Sequence, residues 1–175
     1  MPGFAAPHTS VANAASSCAE HELECKLLPD AASSTELVWC CHGALTGKLV
    51  QLLHVLQQLH HEHIVRVMDV IEVVDATYII MQRVDGPELT EFLDRHPERR
   101  LQPNHAMHLF SHLLSALRHA HRVGFLHCDI KPDNVCFLSA SQRLVKIIVF
   151  GSAVCRHDTT NYYVQSRWYR APEVM

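Results

Sequence analysis

Three side chains of complementary chemistry fall close together in the run His127-Cys128-Asp129-Ile130-Lys131-Pro132-Asp133-Asn134. Asp129 offers a carboxylate that can take a proton, Lys131 an ammonium that can neutralise an anion, and Asn134 a carboxamide oxygen that can ligate a hard cation. The bland alternative is a surface loop with unrelated polar residues. A second set is the histidines, fifteen in 175 residues. His105, His108 and His112 lie near one helical face, and His60, His61 and His63 fall in a connection between a helix and a strand. A zinc site needs three or four convergent ligands. A polar, solvent-facing stripe explains the same helical spacing, and we adopt that reading.

The elements that must position these residues follow from pattern. Pro103 opens a long helix whose buried stripe is expected to be Ala106, Phe110, Leu113, Leu114, Leu117 and Ala120, with Gly124 capping its end. The polar run comes next. Val135–Leu138 and Leu144–Val149 then predict a hairpin around residues 139–143. Upstream, Pro87 suits the first turn of a short helix over Glu88–His96, stopped by Pro97. Ile64–Val74 and Thr77–Met81 are dense in Ile and Val and read as two strands turned at Asp75-Ala76. Leu49, Leu52, Leu53, Leu56 and Leu59 predict an amphipathic helix, whereas the first 35 residues lack periodicity and read as loop or irregular edge strands. The expected class is α+β.

A chain that is 48% apolar can build one core, and a net charge of −3 supplies no basic field for nucleic acid. Seven cysteines, odd in number and without a C-x-x-C pair, argue against a disulfide framework and for a reducing, intracellular setting. The N-terminus has neither a basic flank nor the glycine that myristoylation requires. The longest apolar stretch, Leu144–Val154, is too short to span a bilayer. No membrane partner is expected.

The run from His127 to Asn134 resembles the protein-kinase catalytic loop H-R-D-x-K-x-x-N. The resemblance implies that Asp129 accepts the substrate hydroxyl proton, Lys131 neutralises the transferring phosphoryl and Asn134 ligates magnesium. Phe150-Gly151-Ser152-Ala153 is similar to the D-F-G segment, with Val149 where the metal-binding aspartate belongs. An isopropyl group cannot ligate a hard cation. Residues 162–173 resemble the end of a CMGC activation segment, most like the dual-specificity tyrosine-regulated and homeodomain-interacting kinases. This implies an autophosphorylated Tyr163 near Arg167 and Arg170. Cys128 replaces the arginine that helps hold the ordered loop. His127 is implied to pack with Phe150, Leu56 and Val67 as an internal hydrophobic spine.

Upstream, residues 59–65 resemble the end of the regulatory helix, which puts Leu52 where a glutamate should pair with the nucleotide lysine. Residues 79–86 are similar to the hinge, with Met81 as gatekeeper and the Val84 backbone facing the adenine edge. Leu23-Glu24-Cys25-Lys26 can be laid on V-A-x-K, making Lys26 the phosphate lysine, with an ordinary solvated lysine as the alternative. Val11 and Ala14 then fall on the preceding strand, and the corresponding phosphate loop, residues 4–10, contains no glycine.

The resemblance implies a bilobal fold: a small β-rich N-lobe over residues 1–84, and a partial helical C-lobe over 85–175 that stops after the activation segment. The expected function is impaired ATP-dependent serine/threonine phosphotransfer, with weak ATP binding, magnesium put in question by Val149, and a protein substrate or partner. The competing readings are an active kinase with an atypical metal arrangement and a zinc-binding helical protein. Without the helices that usually follow, the chain is expected to be a fragment with an exposed underside on its long helix.

Overall fold

The computed structural model describes residues 23–26, 36–42, 53, 56–74, 76–139, 144–157 and 164–175. An antiparallel sheet of four strands comes first: β1 (Leu23–Lys26), β2 (Glu36–His42), β3 (Val67–Val73) and β4 (Ala76–Gln82), in the order β1-β2-β4-β3. β3 and β4 form a hairpin with Val73 opposite Ala76 and a register shift between Val67 and Asp69. The strand expected from Ile64 starts at Val67, because Ile64 instead makes an isolated bridge to Ile147. Among the expected leucines of the upstream helix, Leu53 and Leu56 are helical and buried. Leu49 and Leu52 lie outside the described residues.

The chain then turns helical. α1 spans Leu89–Asp94, shorter than the expected Glu88–His96, because Glu88 is an extended N-cap and Arg95 closes the last turn. Pro87 thus precedes the helix rather than opening it, and its carbonyl accepts the Phe137 N–H at 3.0 Å. Gly86 is required by close approach, since a Cβ there would lie 2.1 Å from the Phe137 carbonyl oxygen.

α2 runs Pro103–Val123, with proline in its first turn and Gly124 at φ 95° as a left-handed C-cap. Its buried face is Leu109, His112, Ala116 and Ala120. The expected stripe is therefore corrected: Ala120 is buried and Leu113 and Leu117 pack partly, but Phe110 and Leu114 are 54% and 50% exposed. The seam is rotated toward the two alanines, whose small side chains let the helix approach closely, while Phe110 and Leu114 fall on the outer side. His112 is likewise on the buried side, not on a solvent-facing stripe.

After α2 come β5 (Phe125–Leu126), β6 (Val135–Phe137), β7 (Val145–Ile147) and β8 (Val154–Cys155), with β5 paired to β8 and β6 to β7. Two cores result. Leu53, Leu56, Leu59, Ile64, Val67 and Ile79 from the sheet side meet Ala116, Ala120, Ile147 and Phe150, so one cluster joins both halves of the chain. The other holds Leu89, Leu109, Val135, Phe137 and Val145 under α1. No helix among the described residues is long and apolar enough to cross a membrane.

Candidate functional site

The polar run leaves β5 at His127 and ends in a 3-10 turn, Pro132–Asn134, that leads directly into β6. Two strand pairs therefore hold its ends. Between them Cys128 takes a left-handed φ of 62°, an unusual conformation for a side chain with a Cβ, and this turns the following carboxylate inward. Asp129 is buried. Its Oδ1 accepts the Ser166 N–H at 3.1 Å and the Ser166 hydroxyl at 2.5 Å, and its Oδ2 accepts the Asn134 Nδ2–H at 3.0 Å. Lys131 Nζ lies 3.5 Å from the same Oδ2.

Asp129, Lys131 and Asn134 thus converge on one carboxylate. Burial pushes the Asp129 carboxyl up, but the Ser166 hydroxyl, the Asn134 amide and the Lys131 charge together hold it below its ordinary value of 3.8. The site keeps an ionised proton acceptor. Asn134, almost fully buried, also donates to the Asp129 carbonyl at 2.6 Å, and its own carbonyl accepts the Ile148 N–H at 3.0 Å. Both hydrogens of its amide are committed to Asp129, so its Oδ1 is the atom that could meet a cation.

Val149 follows Ile148, half-buried, where the resemblance asks for a carboxylate. The fit to magnesium therefore fails on this side: Asn134 brings one neutral oxygen, and Val149 brings none. Among the described residues no group of three or more His, Cys, Asp or Glu side chains is placed to hold a metal ion.

His127 behaves as the spine residue implied by resemblance. Its ring lies 4.8 Å from Phe150, which belongs to the same buried cluster as Leu56 and Val67. Its Nδ1 accepts the Asp129 N–H at 3.2 Å. Burial pushes its pKa down to about 4, against the opposing pull of the Val149 backbone and the Asp129 charge, so the ring is neutral at physiological pH.

The remaining sequence candidates are scattered. Met81 lies on β4 and packs partly against the main core, and Val84 is half-buried just beyond that strand. Lys26 ends β1, paired with Val38 of β2. The strand beside β4 is β2, not β1, so one strand separates Lys26 from the strand that leads into Val84. Arg167 is exposed in a 3-10 turn, whereas the Arg170 guanidinium donates to the Val164 carbonyl at 3.1 Å and the Gln165 carbonyl at 2.9 Å. Val11, Leu52 and Tyr163 lie outside the described residues.

Two contributors escaped the sequence reading. Gln165, at φ 71°, donates its backbone N–H to the Cys128 carbonyl at 2.8 Å. Its side chain accepts the Ile130 N–H at 3.2 Å and donates to the Ile130 carbonyl at 2.6 Å. Ser166 binds Asp129 directly. Both stand in the motif that carries the activation-segment resemblance, but only the tyrosine and arginines there bear an obvious charge signal.

The family model described as protein kinase domain matches residues 44–175. A SNF1-related protein kinase catalytic subunit alpha of Arabidopsis thaliana, KIN12, is 33% identical over 132 residues, 73% of this chain and 26% of that protein. A serine/threonine-protein kinase stk11 homolog of Dictyostelium discoideum is 31% identical, covering 72% of this chain and 22% of its own. A probable dual specificity protein kinase YAK1 homolog of Encephalitozoon cuniculi is 34% identical over 96 residues, 55% of this chain and 24% of that protein. The solved structure of Rad53 residues 1-466 with AMP-PNP superposes with a TM-score of 0.64 at 27% identity, covering 75% of this chain and 34% of the other. The chain spans about a quarter of the length of these curated relatives.

Proposed function

The chain belongs to the protein kinase family, and we propose that within it this is an impaired phosphotransfer module whose retained fold serves protein partners. Its relatives include serine/threonine and dual specificity protein kinases, and the bilobal architecture is that of solved kinases. The observation that carries the proposal is Val149 beside an otherwise assembled Asp129, Lys131 and Asn134. On this reading Asp129 would take the substrate proton and Lys131 would neutralise the phosphoryl, while the hard-cation donor set lacks its carboxylate. A metal ion at such a centre contributes several kcal/mol of charge stabilisation, and each 1.4 kcal/mol is about tenfold in rate, so a deficit of at least a few hundredfold follows.

ATP is the expected nucleotide, bound weakly, in line with the AMP-PNP carried by the Rad53 relative. We place the chain in the CMGC group near the dual-specificity tyrosine-regulated and homeodomain-interacting kinases, on the Tyr-x-Gln-Ser-Arg-x-Tyr-Arg run and the likeness to a YAK1 homolog. Control through Tyr163 would have to draw on Arg167, because Arg170 already serves two carbonyls and Cys128 brings no charge. An intracellular location accords with the free thiols of Cys128, Cys136 and Cys155.

A second reading, an active kinase with an atypical metal arrangement, draws on the same intact carboxylate centre. Thermal unfolding with ATP, with and without magnesium, separates the two. The impaired module shows no magnesium-dependent shift. A shift that needs magnesium, together with label transfer to a protein that disappears in Asp129→Asn, would establish the active kinase instead.

A further inference from the structure

Five imidazoles meet where the connection at residues 60–64 lies across α2. His63 stacks on His112 with ring centroids 4.0 Å apart and planes 18° apart. His108 lies edge-on to His112 at 4.3 Å, and His61 sits 5.5 Å from His63 and 5.3 Å from His119. His63 and His112 are both buried. Hydrogen bonds assign two tautomers. His63 Nδ1 lies 3.0 Å from the Val145 carbonyl and must carry its proton. His61 Nδ1 accepts the His63 N–H at 3.1 Å, which leaves the proton on Nε2, 3.0 Å from the Ser115 hydroxyl. His112 Nδ1 and His119 Nε2 are buried without a hydrogen-bond partner among the described residues.

Such a stack needs neutral rings. Two imidazolium ions packed face to face in a site of low dielectric repel one another, and buried positive charge without a partner is costly. The charges that face the cluster give little relief. Glu62 on the connection places Oε1 3.7 Å from His63 Nε2, but its side chain is 75% exposed. Lys146 on β7 donates Nζ to the Glu62 and Ile64 carbonyls at 2.7 and 3.1 Å, which sets a fixed positive charge behind the connection. α2 contributes only His108, His112 and His119 to these contacts. One exposed carboxylate can offset one proton, not several.

We propose that this histidine stack is a proton-operated latch: neutral, it clamps the 60–64 connection onto α2, and protonation in mildly acidic solution opens it, loosening the junction between sheet and helical half. The direction of titration agrees. Burial first, and then neighbouring histidines, hold both His112 and His61 below the ordinary imidazole value of 6.5. The open or unfolded form therefore binds more protons below that value, and the closed form loses stability as pH falls from there. Each unit of depression is worth up to about tenfold in the opening equilibrium.

The test is amide hydrogen exchange over residues 59–67 of the 175-residue chain at a pH of about 7.5 and about 5.5, corrected for the intrinsic rate, in the native chain and in His112→Gln. Protection in the native chain is expected to fall by about tenfold or more and in His112→Gln by less than about threefold. Equal losses in both overturn the latch. Because His112→Gln also disturbs packing, imidazole proton resonances of the native chain are followed in parallel. Titration of His61 and His112 below the usual imidazole range, together with loss of loop protection, supports the latch. Ordinary titration with protection unchanged refutes it.

Discussion

The Asp129 carboxylate takes three hydrogen bonds, two from Ser166 and one from Asn134, whereas Val149, one residue beyond the Ile148 that pairs with Asn134, offers only an isopropyl group. The two regions touch, yet they are held by different physics. Asp129 and Asn134 satisfy one another and the backbone around them, so removing either leaves buried polar atoms without partners. Val149 lies two residues past the end of β7, and its side chain has no such duty. The polar trio thus has a folding reason to persist whether or not phosphate is transferred. Competence is better read at a position such as 149, where the structure itself would tolerate either residue type less unequally than chemistry would.

The largest effect should come from converting one region toward the other. Val149→Asp supplies the missing anionic ligand, and label transfer with magnesium and ATP should rise by about a hundredfold or more, with a magnesium-dependent thermal shift. A shift without transfer would move the lesion to the sheet, where β2 rather than β1 flanks β4. Next in size, Asn134→Ala removes the bonds to the Asp129 carbonyl and carboxylate and should cost about 2–3 kcal/mol in urea unfolding. Val149→Ala should cost about 1 kcal/mol. Equal losses for the two would erase the distinction between a bonded wall and a merely packed one.

How much of this was legible in advance differs by region for a physical reason. The hairpins, the proline-opened α2 and its glycine cap follow from local rules, and the loop chemistry was readable because Asp129, Lys131 and Asn134 lie in one short run. The rotation of the α2 seam was not readable. Phe110 and Leu114 fit a helical stripe as well as Leu109 and Ala116 do, and only the close approach of β7 and the 60–64 connection chooses between them. His112 misled for the same reason, since its burial depends on His63, far away in sequence. That β2 lies between Lys26 and β4 was not readable, because V-A-x-K is a weak pattern in a short segment and strand order is set by long-range pairing. Gln165 and Ser166 are small or neutral groups whose role depends on contacts with Ile130 and Asp129, some 35 residues earlier.

The smallest effect probes the seam between the loop and the segment that covers it. Ser166 supplies the strongest of the influences that lower the Asp129 pKa, against the opposing effect of burial. A carboxyl depressed in the folded state adds stability that is present above its ordinary value of 3.8 and lost as pH falls through the folded value. Ser166→Ala should therefore cost about 1 kcal/mol at neutral pH. It should also shift the acid loss of stability upward, toward that ordinary value, in urea unfolding measured across the acid range. The lysine, the asparagine and the backbone N–H of residue 166 remain in the variant, so part of the depression should survive. An acid limb that does not move would mean that Asn134, Lys131 and the backbone N–H of residue 166 hold the carboxylate without the hydroxyl, and that the segment acts on Asp129 through its backbone and not through the Ser166 side chain.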